Sequence, residues 1–345
     1  EAGQGRAFAG RCDLLVIPNT MHPAFSVIFL TTLIGVGQGL FLALFTVESY
    51  AAFGLLPPQA SRFYALGSAL ALGFLVAGLV ASFFHLGHPE RAWRSAAKWR
   101  TSWLSREVIV LPAFMGLVFL YGAAHLYGFN PVVATLPSAV PVGLTLLLGV
   151  AGTVLAFALF VCTAMIYACL RFLQEWHTPL TVINYTLLGG ASGFVLATAL
   201  AALVAPEMTR FTAGWAMILT LLALIGRAAS LLRNARLKPK STLCTAIGVK
   251  HPRIAQKAQG AMGGSFNTRE FFHGRTAAFL RQVKWIFLLL TFPLPLGLLA
   301  GGAATGAAAL LMAAFAVQYL GLLAERWFFF AQANHPQNLY YQVIS

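Results

Sequence analysis

The stretch that decides the fold is VGLTLLLGVAGTVLAFALFVCTAMIYAC, from Val142 to Cys169, which contains no charged residue. Such a segment is typical of a transmembrane helix, because about 20 helical residues cross the hydrocarbon core of a bilayer. With seven further segments it predicts an all-α, polytopic membrane protein with eight transmembrane helices. The predicted spans are Pro23–Phe45, Phe63–Phe84, Leu104–Leu126, Val142–Cys169, Leu180–Leu203, Phe211–Leu232, Val283–Leu299 and Ala303–Phe328.

The composition agrees with a membrane protein. The 345 residues are 59% hydrophobic and 9% charged, with a mean hydropathy of +0.77, whereas soluble domains have roughly 25% charged residues. The formal net charge is +14, but no zinc-finger, RNA-binding or helix-turn-helix pattern accompanies it. We therefore expect no nucleic-acid partner and attribute the basic residues to topology and to contact with lipid or protein.

The basic residues are distributed asymmetrically. If the spans alternate in direction, 20 of the 23 Lys and Arg residues fall on the side of the termini. The positive-inside rule then predicts cytoplasmic termini in a bacterial inner membrane. The predicted domains are an N-terminal extension at 1–20, without a signal-peptide pattern, and an integral membrane domain at 21–345. A long basic loop at 233–284 is expected to bind anionic lipid or an acidic soluble subunit.

The most informative polar segment lies between the second and third spans and reads FHLGHPERAWRSAAKWRTSWLSREV, from Phe84 to Val108. Ionisable residues at a membrane boundary are costly to keep there and are functional candidates by default. His85 ends one span and Glu107 opens the next, so antiparallel helices would hold both at a similar depth. Imidazole can bond a quinone oxygen and titrates near neutrality, and a carboxylate can relay protons. The pair predicts a quinone site.

Each of these residues also has a structural alternative. His85 is also consistent with a plain helix end. Glu107 is also consistent with a carboxylate in the first turns of a helix that pairs with Arg100 or Arg106. Arg91 is a candidate for orienting the quinone head or for reaching lipid headgroups. Trp103 is primarily interpreted as an interfacial anchor, although it could also line the quinone pocket.

Two further polar elements fall on the same side of the membrane. RFLQEWHTP, from Arg171 to Pro179, joins the fourth and fifth spans, and LLAERWFFFAQANHPQNLYY begins at Leu322. These two elements could close the quinone cavity or contact a partner protein. We expect Glu325 to form an ion pair with a nearby arginine such as Arg227. The candidate pocket or partner-contact residues are His88, Trp103, Arg106, Arg171, His177 and Tyr185.

Residues that could hold a metal cofactor are few. The four cysteines show no CxxC and no cluster-ligand run, so no iron–sulfur cluster is expected in this chain. The eight histidines all lie at predicted span ends or in loops, whereas bis-histidine haem needs two that project inward from neighbouring spans. A haem among His22, His85 and His177 remains the alternative to the expected absence of haem.

Small residues predict where helices touch. Glycines four residues apart allow helix backbones to approach closely. Such spacing occurs at Gly35/Gly39, Gly189/Gly193, Gly297/Gly301 and Gly302/Gly306.

Three elements carry a resemblance to a known family. HLGHPERAW…WRTSWLSRE, RFLQEWHTP and the ending LLAERWFFFAQANHPQNLYY resemble the membrane anchor subunit of the dimethyl sulfoxide reductase family. The resemblance covers the chain from Met21 onward and implies an anchor without haem that exchanges electrons with menaquinone or ubiquinone. The implied partners are a subunit with four 4Fe–4S clusters and a catalytic subunit with a molybdenum bis-pterin cofactor. The family's quinone-site histidine corresponds to His85 and its acidic residue to Glu107.

The expected orientation distinguishes between two kinds of complex within that family. In dimethyl sulfoxide reductases the soluble pair lies on the side of the anchor's termini, which is periplasmic, whereas the charges here predict cytoplasmic termini. A cytoplasm-facing relative resembles quinone-reducing sulfite dehydrogenases, in which electrons from sulfite enter the quinone pool. The alternatives are an anchor of a respiratory reductase that oxidises quinol and, from another class, a transporter, which would need polar residues or broken helices at mid-membrane.

A first prediction concerns cofactors. The purified chain should show no b-type haem absorbance and no iron–sulfur signal by electron paramagnetic resonance, because it lacks mid-span histidine pairs and cysteine clusters. A reduced-haem band in one-to-one ratio with protein would contradict this expectation.

Overall fold

The computed structural model describes residues 24–84, 86, 88–135, 141–238, 242, 244–245, 248–249, 251, 254 and 275–335. The predicted extension 1–20, most of the basic loop 233–284 and His85 lie outside these described residues. The helices are α1 (Phe25–Ala52), α2 (Ser61–Phe83), α3 (Trp103–Leu126), α4 (Leu144–Ala168), α5 (Pro179–Val204), α6 (Thr209–Ala235), α7 (Ala277–Thr291), α8 (Pro293–Thr305) and α9 (Ala308–Ala331). Two 3-10 helices cover Pro89–Lys98 and Pro206–Met208.

Within the described part of the chain, eight helical segments are long and apolar enough to cross a membrane, with α7 and α8 together forming the seventh. The polytopic helical architecture predicted from the sequence is therefore confirmed. The boundaries differ clearly at three spans. The seventh extends from Ala277 to Thr305, beyond the predicted Val283–Leu299 at both ends. α1 continues to Ala52, beyond the predicted end at Phe45. The last span begins at Ala308 instead of Ala303, because Gly306 takes a φ of 72° that ends α8.

The seventh span is broken at Phe292, between α7 and α8. Pro293 has no backbone N–H and cannot continue α7 as a regular helix. The Thr291 carbonyl oxygen at the break accepts a hydrogen bond of 3.2 Å from the Gln318 side chain of α9. In lipid such a partner is required, because water is absent and an unpaired carbonyl is costly. This break was not predicted from the sequence.

A short β-hairpin departs from the predicted all-α fold. Strands β1 (Val132–Thr135) and β2 (Pro141–Gly143) pair in antiparallel register between α3 and α4. The Asn130 side chain accepts a hydrogen bond of 3.0 Å from the backbone N–H of Thr145 and thereby ties the hairpin to the first turn of α4. The hairpin lies on the side of the protein opposite to the α2–α3 loop.

The core of the bundle is the contact between α1 and α5, which are buried over most of their length. A Cβ built on Gly39 would overlap the Gly189 carbonyl oxygen, and one on Gly193 would overlap the Gly39 backbone. Gly35 lies against the Gly189 Cα in the same seam. The predicted packing role of these four glycines is confirmed.

The other two glycine pairs have different roles. Gly302 packs against Leu311 where α8 turns back to α9. Among the described residues, nothing lies within 4 Å of a Cβ built on Gly297, and Gly306 serves as a left-handed helix end. Helix packing was therefore the wrong interpretation for Gly297 and Gly306.

A second prediction follows from the α1–α5 seam. Gly193→Ala should lower the temperature of half-unfolding in detergent, because the added methyl group overpacks a backbone contact, at a cost of about 1–3 kcal/mol. Gly73→Ala on α2 is the matched control, since nothing in the described part of the chain lies within 4 Å of that position. Equal unfolding temperatures for both variants would contradict the role of the seam.

Candidate functional site

The loop between α2 and α3 presents His88 and Arg91 at its surface. His88 Nδ1 lies 3.0 Å from Glu90 Oε1, and Arg91 Nε lies 3.6 Å from the same oxygen. All three side chains are exposed. Phe84, which precedes His85, is 81% exposed. His85 is outside the described residues. Its predicted position, at a depth similar to that of Glu107, therefore stays a prediction.

Arg106 fixes the end of this loop to α3. Its guanidinium lies 4.2 Å from the ring centroid of Trp103. It donates hydrogen bonds of 2.9 and 2.8 Å to the carbonyl oxygens of Trp99 and Arg100. The Ser102 hydroxyl accepts a hydrogen bond from the backbone N–H of Ser105 and so caps the N-terminus of α3. Arg106 and Trp103 thus position the first turn of α3.

Glu107 points into the bundle, towards α4. It is buried, and its Oε1 accepts a hydrogen bond of 2.5 Å from the Thr163 hydroxyl. Among the described residues, no ion pair joins it to Arg100 or Arg106. Glu107 is therefore a carboxyl group held inside the membrane domain by a neutral donor. Such a group is a functional candidate because its burial is costly.

The α4–α5 loop is fastened to the ends of α6 and α9. His177 Nδ1 lies 2.6 Å from the Ala168 carbonyl oxygen, and Trp176 Nε1 donates to the Phe329 carbonyl oxygen at 3.0 Å. Arg233 donates to the Gln174 carbonyl oxygen at 3.0 Å. His177 is exposed, as is Arg171 in the same loop. This loop therefore has a fixed position over the ends of three helices.

A buried ionic cluster lies beneath that loop. Arg227 Nε of α6 is 2.8 Å from Glu325 Oε1 of α9, and both side chains are 2% exposed. The ion pair predicted for Glu325 is thus confirmed. Arg326 Nε lies 3.9 Å from the second Glu325 oxygen, and its guanidinium lies 3.7 Å from the Tyr185 ring centroid. Tyr185, a sequence candidate, is therefore brought into a charged cluster. Sequence reasoning missed the role of Arg326.

Two narrow polar cavities adjoin the cluster. The inner cavity lies between α1, α4, α5 and α9, and the outer cavity lies between α5, α6, α9 and the α4–α5 loop. Each is wide enough for water but not for a quinone ring. Tyr185 and Arg326 line both. The other polar side chains of the inner cavity are Thr31, Thr32, Gln38, Thr163 and Ser192, and those of the outer cavity are Glu175, Thr181, Asn184, Arg227, Ser230 and Glu325.

An apolar groove of about 320 Å³ lies between α1 and α2. Its lining consists of Ser26, Phe29, Leu33, Ala77, Val80, Ala81 and Phe84. The groove ends at Phe84, immediately before His85 in the chain. A volume of this size and an apolar lining are typical of small-molecule sites. No motif in the sequence indicated it, because its residues are ordinary lipid-facing side chains.

Burial alters the acid–base behaviour of groups outside the spans. It raises the pKa of the Glu175 carboxyl, although backbone N–H groups and the Arg233 guanidinium act in the opposite direction. Burial also lowers the pKa of His335. Glu175 therefore keeps its proton to a higher pH than an ordinary glutamate does.

A second polar cluster lies at the opposite end of the bundle. The Tyr121 hydroxyl donates to Glu48 Oε2 at 2.7 Å, and His125 Nε2 lies 3.5 Å from Glu48 Oε1. The Tyr64 ring stacks on the His125 ring with centroids 4.4 Å apart. This cluster joins α1, α2 and α3 far from the candidate site. No sequence pattern indicated it, since its members are widely separated in the chain.

The similarity to known proteins extends over nearly the whole chain. A sequence model of the DMSO reductase anchor subunit (DmsC) family matches residues 19–252, a range that includes α1 to α6 and the α2–α3 loop. The chain is 60% identical over 325 residues to a sulfite dehydrogenase subunit of Allochromatium vinosum. That alignment covers 94% of this chain and 100% of the relative.

Proposed function

The chain belongs to the DMSO reductase anchor subunit family, and we propose that it passes electrons between a docked iron–sulfur subunit and the quinone pool. The family resemblance drawn from three sequence elements is confirmed. The protein is the multi-pass membrane anchor of a molybdoenzyme complex. Its proposed partners carry the four 4Fe–4S clusters and the molybdenum bis-pterin cofactor, so the substrate-side chemistry lies outside this chain.

The reaction we propose for the complex is sulfite oxidation with quinone reduction. The single observation that carries this choice is the 60% identity, over the full length of the relative, to a protein named as a sulfite dehydrogenase subunit. Family membership also disfavours a transporter, despite the broken helix at Phe292. An anchor that oxidises quinol for a dimethyl sulfoxide or related reductase is the second candidate, since the same family contains such anchors.

The quinone is proposed to bind at the α2 end of the apolar groove, next to His85. The groove supplies an apolar surface open to the lipid for the quinone tail. His85 would donate a hydrogen bond to a quinone oxygen, and Arg91 in the following loop would orient the head. Neither polar cavity has room for the ring, which favours the groove.

Glu107 is proposed to hold and release the proton that quinone reduction consumes. Its burial and its hydrogen bond to Thr163 support this role, since the carboxyl is shielded from bulk water yet connected to a polar side chain. The quinone supplies the two-electron, two-proton chemistry when bound. Glu107 contributes a proton at its carboxyl oxygen.

The iron–sulfur partner is proposed to dock on the 3-10 helix Pro89–Lys98 and the basic loop 233–284. Trp93 and Trp99 are 71% and 52% exposed, and each lies beside an arginine, Arg94 or Arg100 respectively. Exposed tryptophan and arginine are favoured at protein interfaces. An acidic partner surface would complement this charge. Contact with anionic lipid headgroups is the alternative for the same residues.

A third prediction tests the quinone site. His85→Ala should leave the complex assembled and active with an artificial soluble electron carrier, but should abolish quinone-coupled turnover. Loss of a hydrogen bond whose partner stays unsatisfied costs about 1–3 kcal/mol, which weakens quinone binding roughly tenfold or more. Loss of the imidazole as a proton donor slows the reaction further. Glu107→Gln should preserve binding better and lower turnover mainly at high pH, where proton supply limits the rate.

His85→Gln is the conservative control, because it retains a side-chain donor and should keep part of the quinone affinity. If His85→Ala retains the wild-type quinone-coupled rate in an assembled complex, the histidine is only a helix end. The quinone pocket then lies elsewhere, with the segment 171–185 as the next candidate.

A fourth prediction tests the proposed orientation, with both termini in the cytoplasm. A reporter that is active only in the cytoplasm should work when fused after Ser345, and a periplasm-dependent reporter should fail there. Fusions after Gly128, between α3 and β1, should give the opposite pattern and serve as the control. Periplasmic activity at Ser345 would overturn the proposed orientation.

A further inference from the structure

We propose that Glu175 takes up protons for the quinone site and that water and hydroxyl groups in the two polar cavities carry them to Glu107. This inference rests on the proposed role of Glu107. It adds a specific route through the interior of the bundle, from the α4–α5 loop to α3. The route follows a buried polar layer that involves six helices: α1, α3, α4, α5, α6 and α9.

The inner part of the route is a direct contact. Thr163 donates its hydroxyl proton to Glu107 Oε1 at 2.5 Å and also lines the inner cavity. A threonine hydroxyl can donate one hydrogen bond while it accepts others. A water in the inner cavity can therefore replace the proton that Thr163 gives to Glu107.

The middle of the route is Tyr185, which lines both cavities. Its side chain is 4% exposed and stacks under the Arg326 guanidinium. Because Tyr185 forms part of the wall that the two cavities share, its hydroxyl offers a donor and an acceptor between them. Hydration of the outer cavity is supported by two buried polar atoms that have no hydrogen-bond partner within the described residues, Asn184 Oδ1 and Arg227 Nη2.

The outer end of the route is Glu175, in the loop outside the spans. It is half-buried and lines the outer cavity. Burial raises the pKa of its carboxyl, so that it holds a proton at a higher pH than a surface glutamate would. The charged groups that face it are Arg233 at the end of α6 and, across the outer cavity, Arg227, Glu325 and Arg326. The titratable groups near it in sequence and space are His177 in its own loop and His335, whose ring lies 5.4 Å from that of Phe172.

The fixed charges determine how a proton moves along this route. Two arginines and one carboxylate leave one net positive charge between the cavities, which disfavours an excess proton there. Transfer must therefore begin at Glu107. The deprotonated carboxylate takes the Thr163 proton as Thr163 takes one from cavity water. Glu175 then returns a proton to the water chain through Tyr185, and bulk water at the protein surface reprotonates Glu175. In sum, one proton leaves the aqueous side and one arrives at Glu107, with no net change in the residues between them.

The test compares Glu175→Gln, Tyr185→Phe and Thr163→Val in the assembled complex. Each should lower quinone-coupled turnover roughly tenfold at high pH and much less at low pH. The apparent affinity for quinone and the activity with an artificial soluble carrier should not change. Glu207→Gln is the matched control, because it removes an exposed carboxylate at the opposite end of the bundle. Wild-type rates at all pH values for both Glu175→Gln and Tyr185→Phe would overturn the route.

A second measurement is independent of quinone turnover. In the full-length chain, the infrared band of the protonated Glu107 carboxyl can be assigned by its loss in Glu107→Gln. Transfer to D₂O should shift this band rapidly in the wild type and much more slowly in Thr163→Val and Glu175→Gln. If His85→Ala has no effect on turnover, the quinone site is wrong but this exchange still tests the route. Equal exchange rates in all variants would overturn the route even where the quinone site is correct.

Discussion

The close contact between the glycines of α1 and α5 determines how the other spans are arranged. Apolar surface gives no net attraction between helices in lipid, so association depends on close packing and on interhelical hydrogen bonds. Gly39 and Gly193 provide the packing, because neither backbone could approach the other with a side chain present. Gly35 and Gly189 in the same seam also line the inner cavity. The contact that holds the bundle together therefore also forms one wall of its polar interior.

The buried ion pair imposes the second constraint. Arg227 and Glu325 connect α6 with α9 at a depth where either charge alone would be very unfavourable. Removal of one partner from such a pair typically costs about 3–5 kcal/mol, while a well-packed apolar replacement is often tolerated. Stability alone therefore does not require charges at this place. Their position beside two cavities that share Tyr185 and Arg326 instead favours a functional role.

The sequence predicted the spans well because a helix that faces lipid must be apolar over a fixed length. It also predicted the Glu325–Arg227 pair, since a charge in an apolar span is unfavourable unless an opposite charge compensates it. It did not predict the break at Phe292, because a Pro inside an apolar run is equally compatible with a kinked continuous helix. The direction of Glu107 could not be predicted either. That direction depends on the rotation of α3 against α4, which one sequence does not determine.

The two faces of α1 separate apolar from polar surroundings. Phe29 and Leu33 lie on the face that lines the apolar groove, whereas Thr31, Gly35 and Gln38 lie on the face that lines the inner cavity. A quinone tail needs a dry surface, while proton supply needs water and hydroxyl groups. One helix can serve both because residues three or four apart share a face and the intervening ones do not. Electrons would then reach the quinone from the docked partner at the membrane surface, while protons approach Glu107 from the opposite side of α1.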